Sequence, residues 1–245
     1  MSPTEISVIV PLYNEADNVE PLAREIIAAL NGTNRLFEIL LVDDGSTDGT
    51  WERIAAARKD EPRIRGVRHM GNQGQSAALW TGFRAANGPI IATLDGDLQN
   101  DPADLPAMLK KLDQCDLVCG IRAKRRDGMV RLISAKIART ANRLILGVRF
   151  NDPGCGLRVF RRSALDGLFA FNGFHRFLPV LVYGGGGKVE EQIVNHRPRI
   201  AGVSKYGVLN RLGRGMIDLL GVAWFQKRRI GRIPKRHSDS ESSGE

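Results

Sequence analysis

Cysteine, histidine and aromatic residues are all scarce in this chain of 245 residues, which has three cysteines, four histidines and 6% Phe, Trp and Tyr. Cys115, Cys119 and Cys155 are odd in number and lack the paired spacing of a zinc site. That excludes a disulfide framework and points to a reducing compartment. His69, His175 and His196 are too dispersed to make a metal motif. The aromatics are not interleaved with the basic residues, so the stacking platform of a nucleic-acid binder is missing and no nucleic-acid partner is expected. No apolar run approaches the roughly 18 residues of a membrane span. The first ten residues carry no basic segment ahead of an apolar one, so no signal peptide is expected. These absences together predict a soluble or surface-bound protein on the cytosolic side.

What is present begins with hydrophobic residues at 42% of the chain, enough for one large core. The net charge is +9 and is unevenly spread. One basic block runs from Arg122 through Lys124, Arg125, Arg126, Arg131, Lys136 and Arg139 to Arg143. A second comprises Lys227, Arg228, Arg229, Arg232, Lys235 and Arg236. Anionic partners follow: phosphates, a membrane surface or nucleic acid, the last disfavoured by the sparse aromatics.

Apolar β-rich runs at Ile6–Leu12, Phe37–Val42, Ile64–Arg68, from Ile90, and at Asp116–Cys119 read as strands. Between them, Val19, Leu22, Ala23, Ile26, Ile27 and Leu30 recur at helical spacing, and Trp51–Ala57 and Ser76–Ala86 continue the alternation. Strand–helix alternation predicts an α/β fold, a mostly parallel sheet covered on both faces, with ligands gathered where the strands end. Farther on, Phe174–Val182 reads as a helix, Gly184–Gly187 as a flexible hairpin tip, and Val189–Val194 as a strand. Gly207–Phe225 reads as an amphipathic helix. The expected organisation is a main domain over 1–206, an amphipathic and basic segment over 207–236, and a disordered tail over 237–245.

The polar motifs fall at the strand ends. Ile90–Asn100 is an apolar run that stops at Asp95-Gly96-Asp97, followed by Gln99. In an extended segment Asp95 and Asp97 point the same way, with Gln99 next on that side. Hard oxygens in this setting suit Mg2+ or Mn2+ bound together with a diphosphate. The alternative is a turn, with Asp97 or Asn100 capping the helix that Pro102 opens. Asp43 and Asp44 follow the second strand, and two adjacent acids exceed what a helix cap requires, although Ser46 or Thr47 can also cap.

Val10-Pro11-Leu12-Tyr13-Asn14-Glu15, the run Val42–Thr50 and Asp95-Gly96-Asp97, in this order and each at a strand end, resemble family 2 inverting glycosyltransferases of the GT-A fold. The resemblance runs from about Ile6 to about Gln226. Leu98-Gln99, the Arg-rich helix, Asp152–Arg162 and His196–Tyr206 are similar to the branch that works on polyprenyl phosphates, including dolichol-phosphate mannosyltransferases. Asn72-Gln73-Gly74-Gln75 is similar to the loop of its undecaprenyl group, with Gly71 where that group often has arginine. The resemblance implies a Rossmann-like sheet and a nucleotide-sugar donor (GDP-mannose or a UDP-sugar) lined by Pro11, Tyr13, Asn14, Glu15, Asp43, Asp44, Ser46, Gln75 and Asp95. It implies Mg2+ or Mn2+ on Asp95, Asp97 and Gln99. It also implies a polyprenyl phosphate held by Arg122, Arg131, Arg158, Arg197, Arg199, Ser204 and Lys205, of which Arg122, Arg131 and Arg199 serve catalysis with Asp97.

The acceptor decides whether a base is required. A hydroxyl must lose a proton to attack, and no convincing general base stands out in the sequence. A monophosphate, with a second pKa of about 6, is already largely dianionic and attacks directly. Arginine suits such an anion because its planar fork makes bidentate contacts. A solvated basic face is the alternative reading of Arg122, Arg125 and Arg126, and a loop cap that of Asp152. Met216, Ile217, Leu219, Leu220, Val222, Trp224 and Phe225 before Lys227-Arg228-Arg229 suit an interfacial helix with a cationic anchor, a core helix, or attachment through a membrane partner subunit.

Overall fold

Ile6–Leu12 (β1) and Phe37–Asp43 (β2) are near-continuous runs of β-branched and large apolar residues, and they pair in parallel as adjacent inner strands of the sheet. Nearly every residue of both is buried, as expected of parallel strands covered on both faces. The computed structural model describes residues 3–123, 146–148, 150–198 and 208–229, with 208–214 by backbone alone. The remaining strands are β3 (Ile64–Arg68), β4 (Ile90–Thr93), β5 (Leu117–Arg122), β6 (Arg158–Arg161) and β7 (Val189–Val194). They form one seven-stranded sheet in the order β3-β2-β1-β4-β6-β5-β7. Only β6 runs antiparallel to its neighbours, β4 and β5.

Helices α1 (Val19–Asn31), α2 (Thr50–Asp60), α3 (Gln75–Ala85) and α4 (Leu105–Lys111) alternate with the first five strands. α5 (Leu178–Gly184) and α6 (Val208–Arg228) follow β6 and β7. Alternate residues of β1 feed two separate cores. Ile6, Val8, Val10 and Leu12 meet Leu22, Ile26 and Leu30 of α1 and Met108 of α4. Ile9 faces Ala78, Leu79 and Phe83 of α3 on the other side. The scarce aromatics are concentrated in that second core, where Phe83 lies edge-on to Trp80, Phe160 and Phe174.

Two expectations are corrected here. Gly184–Gly187 is not a hairpin tip: α5 ends in it, with Gly186 at φ 82° turning the chain into β7, which pairs parallel to β5 and so excludes a hairpin. The helix expected over Phe174–Val182 is a 3-10 turn, Phe174–Arg176, followed by α5. The basic helix around residues 124–145, the boundary at residue 206 and the tail over 237–245 lie outside the described residues.

At the opposite edge of β1 and β2 from the site, Glu38 is buried and fully engaged. It accepts from the Ser7 hydroxyl (2.6 Å), Arg65 (2.5 Å) and the Asn87 backbone N–H (2.6 Å), while Ser7 Oγ in turn accepts from Gly88 N (2.9 Å). Burial works to raise the Glu38 carboxyl, but the Ser7, Arg65 and Asn87 contacts together hold it below its ordinary value. A lowered carboxyl contributes stability at pH above its unfolded value of 4.5, and that contribution is lost as pH falls through the lower folded value. Glu38→Ala strands three donors at once, so it is expected to cost about 3 kcal/mol at pH 7, read as a drop in Tm on the order of 10 °C. The difference from wild type should shrink below pH 4.5.

Candidate active site

The strand order reverses between β1 and β4, and the loops beyond their carboxyl ends form the site. β4 stops at Thr93, so Asp95 leaves the sheet as the chain turns. Gly96 allows that turn to pack down: a Cβ there would lie 2.5 Å from Leu12 Cδ2 and 3.0 Å from the Pro11 carbonyl oxygen. Leu98 is left-handed, at φ 58°. The extended continuation expected through Gln99 is therefore absent. Asp95 and Asp97 are brought together by a turn, and Gln99 donates its side-chain amide to the Arg197 carbonyl (3.4 Å) and its backbone N–H to Asp97 Oδ1 (3.2 Å).

Asp95 is set in a confined place. Gly156 backs directly onto its carboxylate, and the Gly156 carbonyl accepts from Thr93 Oγ1 (2.7 Å). Gln75 Nε2, at the start of α3, donates to Asp95 Oδ1 (2.8 Å). Burial and the charge of Asp97 push the Asp95 carboxyl up to about 6, against the pull of Arg158, Arg122 and the Gln75 amide. Two carboxylates crowded in this way suit a dication, which removes the repulsion. Among the described residues no group of three His, Cys, Asp or Glu side chains gathers to hold a metal. The protein thus offers an acidic pair, which a diphosphate would complete.

The loops after β1 and β2 interlock. Asn14, left-handed at φ 53°, donates its N–H to Ser46 Oγ (2.9 Å) and accepts from Thr47 N (2.9 Å). Glu15 N donates to Thr50 Oγ1 (2.9 Å), and Asp48 rather than Ser46 or Thr47 caps the following turn, accepting from Thr50 N (3.1 Å). Pro11 lies opposite Val42 one residue before the end of β1, and Tyr13 is half-buried just beyond that end.

The Asp43–Asp44 pair has structural work that the sequence did not reveal. Asp43 is wholly enclosed, with Ser46 N donating to Oδ1 (2.9 Å) and Arg68 Nε 3.1 Å from Oδ2. Asp44 accepts from Gln73 N (2.9 Å) and Gly74 N (2.7 Å) and pairs with His69 (2.8 Å), which reaches on to Thr81 Oγ1 (2.9 Å). The second acid therefore docks the loop that delivers Gln75. Gly45, at φ 73°, makes that docking close, since a Cβ would lie 2.5 Å from the Gly71 carbonyl carbon.

The cationic side includes Arg158. It lies in β6, only 3% exposed, and donates to the Pro153 carbonyl (2.7 Å). Arg122 ends β5 and makes a bidentate pair with buried Asp152, at 2.6 and 2.8 Å. That pairing spans thirty residues, and no local pattern announces it. Arg197 is half-buried between two acids, Glu25 and Asp101. Arg131, Arg199, Ser204 and Lys205 lie outside the described residues.

A nearly parallel sheet of this order, with an acidic pair beyond β4 at the switch point, defines a GT-A glycosyltransferase fold. Solved structures agree on the fold. Glucosyl-3-phosphoglycerate synthase from Mycobacterium tuberculosis, in complex with Mg2+ and UDP, superimposes with a TM-score of 0.66 at 22% identity over 91% of this chain and 79% of that one. A mannosyltransferase from Pyrobaculum calidifontis, in complex with GDP-Man and Mn2+, gives 0.62 at 21% identity, covering 96% and 68%.

Residues 7–169 match the family model for glycosyl transferase family 2, and the chain belongs to that family. Among curated relatives, a dodecaprenyl-phosphate galacturonate synthase of Rhizobium johnstonii is 40% identical over 232 residues, 91% of this chain and 68% of that protein. An undecaprenyl-phosphate 4-deoxy-4-formamido-L-arabinose transferase of Pseudomonas syringae is 36% identical over 218 residues, covering 88% and 64%. The chain thus spans about two thirds of the length of these relatives. Among the described residues no helix is long and apolar enough to cross a membrane.

Proposed function

We propose that this glycosyltransferase moves a sugar from a nucleotide-sugar donor, GDP-mannose or a UDP-sugar, to a polyprenyl phosphate with inversion at the anomeric carbon, using Mg2+ or Mn2+. The observation that carries this reading is the meeting of two charge types at one point. Asp95 and Asp97 crowd together, while Arg122 and Arg158 lie close enough to pull the Asp95 carboxyl down. A diphosphate–metal group suits the acids, and an anionic acceptor suits the cationic side. A bound divalent ion would supply charge neutralisation for the departing nucleoside diphosphate.

The chain's own groups do the rest. The loops after β1 and β2 orient the nucleoside through Tyr13, Asn14, Glu15 and Ser46. Gln75 and Gly156 fix Asp95 beneath the diphosphate. Arg122, held rigid by Asp152, presents positive charge where the acceptor phosphate approaches, and positioning with electrostatic screening replaces a general base. A single direct displacement by the phosphate oxygen inverts the sugar. The test is a panel of labelled GDP- and UDP-sugars incubated with short polyprenyl phosphates and Mn2+. Labelled lipid that appears only with metal supports the reading. Label in a saccharide acceptor and none in lipid overturns it in favour of a hydroxyl acceptor.

Access to a lipid acceptor is supported by α6. Its Leu219 and Val222 enter the second core, and Asp218 pairs with Arg176 (2.9 Å). On the opposite side Met216, Ile217, Leu220 and Trp224 form one exposed stripe, 45, 72, 57 and 65% accessible, that leads toward Lys227 and Arg228. An apolar stripe beside cations fits a peripheral position on the cytosolic membrane face, with each cation contributing about 1 kcal/mol at an anionic surface. The double change Ile217→Glu and Leu220→Glu is expected to lower co-sedimentation with anionic vesicles about tenfold. Transfer to a water-soluble short-chain phosphate should be unaffected, and unchanged sedimentation would reject this surface as the contact.

A further inference from the structure

Arg197 comes from the segment after β7, yet everything it touches belongs to the acidic turn or to the helices beside it. Its two terminal nitrogens are divided between Glu25 Oε2 on α1 and Asp101 Oδ1, each at 2.7 Å. The same Asp101 oxygen accepts from Ala103 N (3.0 Å) and so caps the turn that opens toward α4. The backbone is hooked as well: Arg197 N donates to the Gln99 carbonyl (2.8 Å), and Gln99 Nε2 donates to the Arg197 carbonyl (3.4 Å). On either side, Asn100 and His196 form an antiparallel bridge, and Asn195 N donates to Asp104 Oδ2 (2.7 Å).

The turn held in this way is the one that needs holding. Asp97 and Gln99 flank Leu98, whose left-handed φ of 58° is costly for a branched residue. β4 ends at Thr93, and past the bond from Leu94 N to the Ile9 carbonyl (3.2 Å) no named strand carries the chain on to the turn at Pro102.

We propose that Arg197 is a positioning residue for the Asp97 turn, acting by clamping residues 99–101 to α1 and to the segment after β7, and not a contact to the acceptor phosphate. The proposal rests on the divalent-ion reading given above. A guanidinium shared by two carboxylates has little capacity left for a third anion. Its removal instead loosens the turn that presents Asp97, and groups that orient a metal ligand from behind typically affect metal affinity about 10–100-fold.

The test is calorimetric titration of the full chain with GDP and with UDP, each with and without Mn2+, alongside Tm and the KM for a short polyprenyl phosphate acceptor. Arg197→Ala and Glu25→Gln are each expected to weaken Mn2+-dependent nucleotide affinity about tenfold, leaving metal-free affinity unchanged. The double variant should be no weaker than Arg197→Ala alone, since both remove one interaction. A direct phosphate contact predicts otherwise: nucleotide binding would be untouched by Arg197→Ala, and Glu25→Gln would free the guanidinium and lower the acceptor KM. That result overturns the proposal, as does a parallel loss of metal-free and metal-dependent affinity in step with Tm. A wild-type chain whose nucleotide affinity ignores Mn2+ overturns the metal assignment and the proposal with it. Variants that keep the full Mn2+ dependence of the wild type overturn the proposal alone.

Discussion

Asp97→Asn is expected to cut sugar transfer by about 10²–10³-fold or more while leaving the fold at least as stable as the wild type. Asparagine keeps the shape and one acceptor oxygen but removes the charge, and among the described residues an acidic pair is all that gathers for the cation. Stability responds in the opposite direction because the two carboxylates repel. Burial first and then Asp97 push Asp95 up to about 6, from an ordinary 3.8. With a raised folded value, the folded state holds its proton more tightly between those two values, so metal-free stability falls as pH rises from about 3.8 to about 6. Removing the Asp97 charge moves the Asp95 titration back toward its ordinary value and shrinks that fall. Melting curves from pH 4 to 8, with and without Mn2+, read both effects. Wild type should gain stability with Mn2+, about 2.7 kcal/mol when the ion stands a hundredfold above its Kd, and Asp97→Asn should gain far less. A fully active variant that Mn2+ still protects would remove Asp97 from the metal site.

Much of this arrangement is legible in the sequence because each strand is coded locally. Ile6–Leu12 and Ile64–Arg68 are strands with the bounds that their apolar runs suggest, and the acidic motifs do lie at strand ends. What stays hidden is long-range. β6 inserts Arg158 between β4 and β5, antiparallel to both, and no periodicity signals such a reversal. The Arg122–Asp152 and Arg197–Glu25 pairs join residues from different elements, so a charge run does not reveal which of its cations are anchored by acids elsewhere in the chain. Asp44 shows the converse. An acid in excess of capping needs suggests a ligand, and the fold in addition gives it a neighbouring loop to dock, two of whose backbone N–H groups the carboxylate satisfies. Local propensity also failed at Leu98, where a branched residue in left-handed conformation bends the acidic motif out of the extended form that alternation predicts.

Gly156→Ala is expected to lower kcat/KM by about 10²-fold with little change in Tm, because the added methyl competes with Asp95 for space rather than with the core. A Cβ at Gly156 would stand 2.2 Å from Asp95 Oδ2 and 2.4 Å from its Cγ, far inside contact distance. The backbone has no reason to yield. Gly156 needs no left-handed conformation, and its carbonyl is tied to Thr93 Oγ1 at 2.7 Å. The short Asp95 side chain must therefore swing away, losing the Gln75 amide at 2.8 Å and its place beside Asp97. Rotating one short, half-buried carboxylate costs less than the roughly 1–3 kcal/mol of overpacking a true core, while a displacement of about 1 Å in a charged site is enough for a hundredfold loss in rate. Gly154→Ala supplies the control from the same loop. Among the described residues its Cβ would meet Arg122 Nη2 at 3.8 Å and Asp152 Oδ1 at 3.9 Å, ordinary contacts, so activity should stay within about twofold of wild type. Equal activity in the two variants would mean that the Asp95 carboxylate is not needed where the fold places it. A loss confined to Gly156→Ala, with Mn2+-dependent GDP or UDP binding weakened in parallel, would tie the close approach of this loop to the donor side of the reaction.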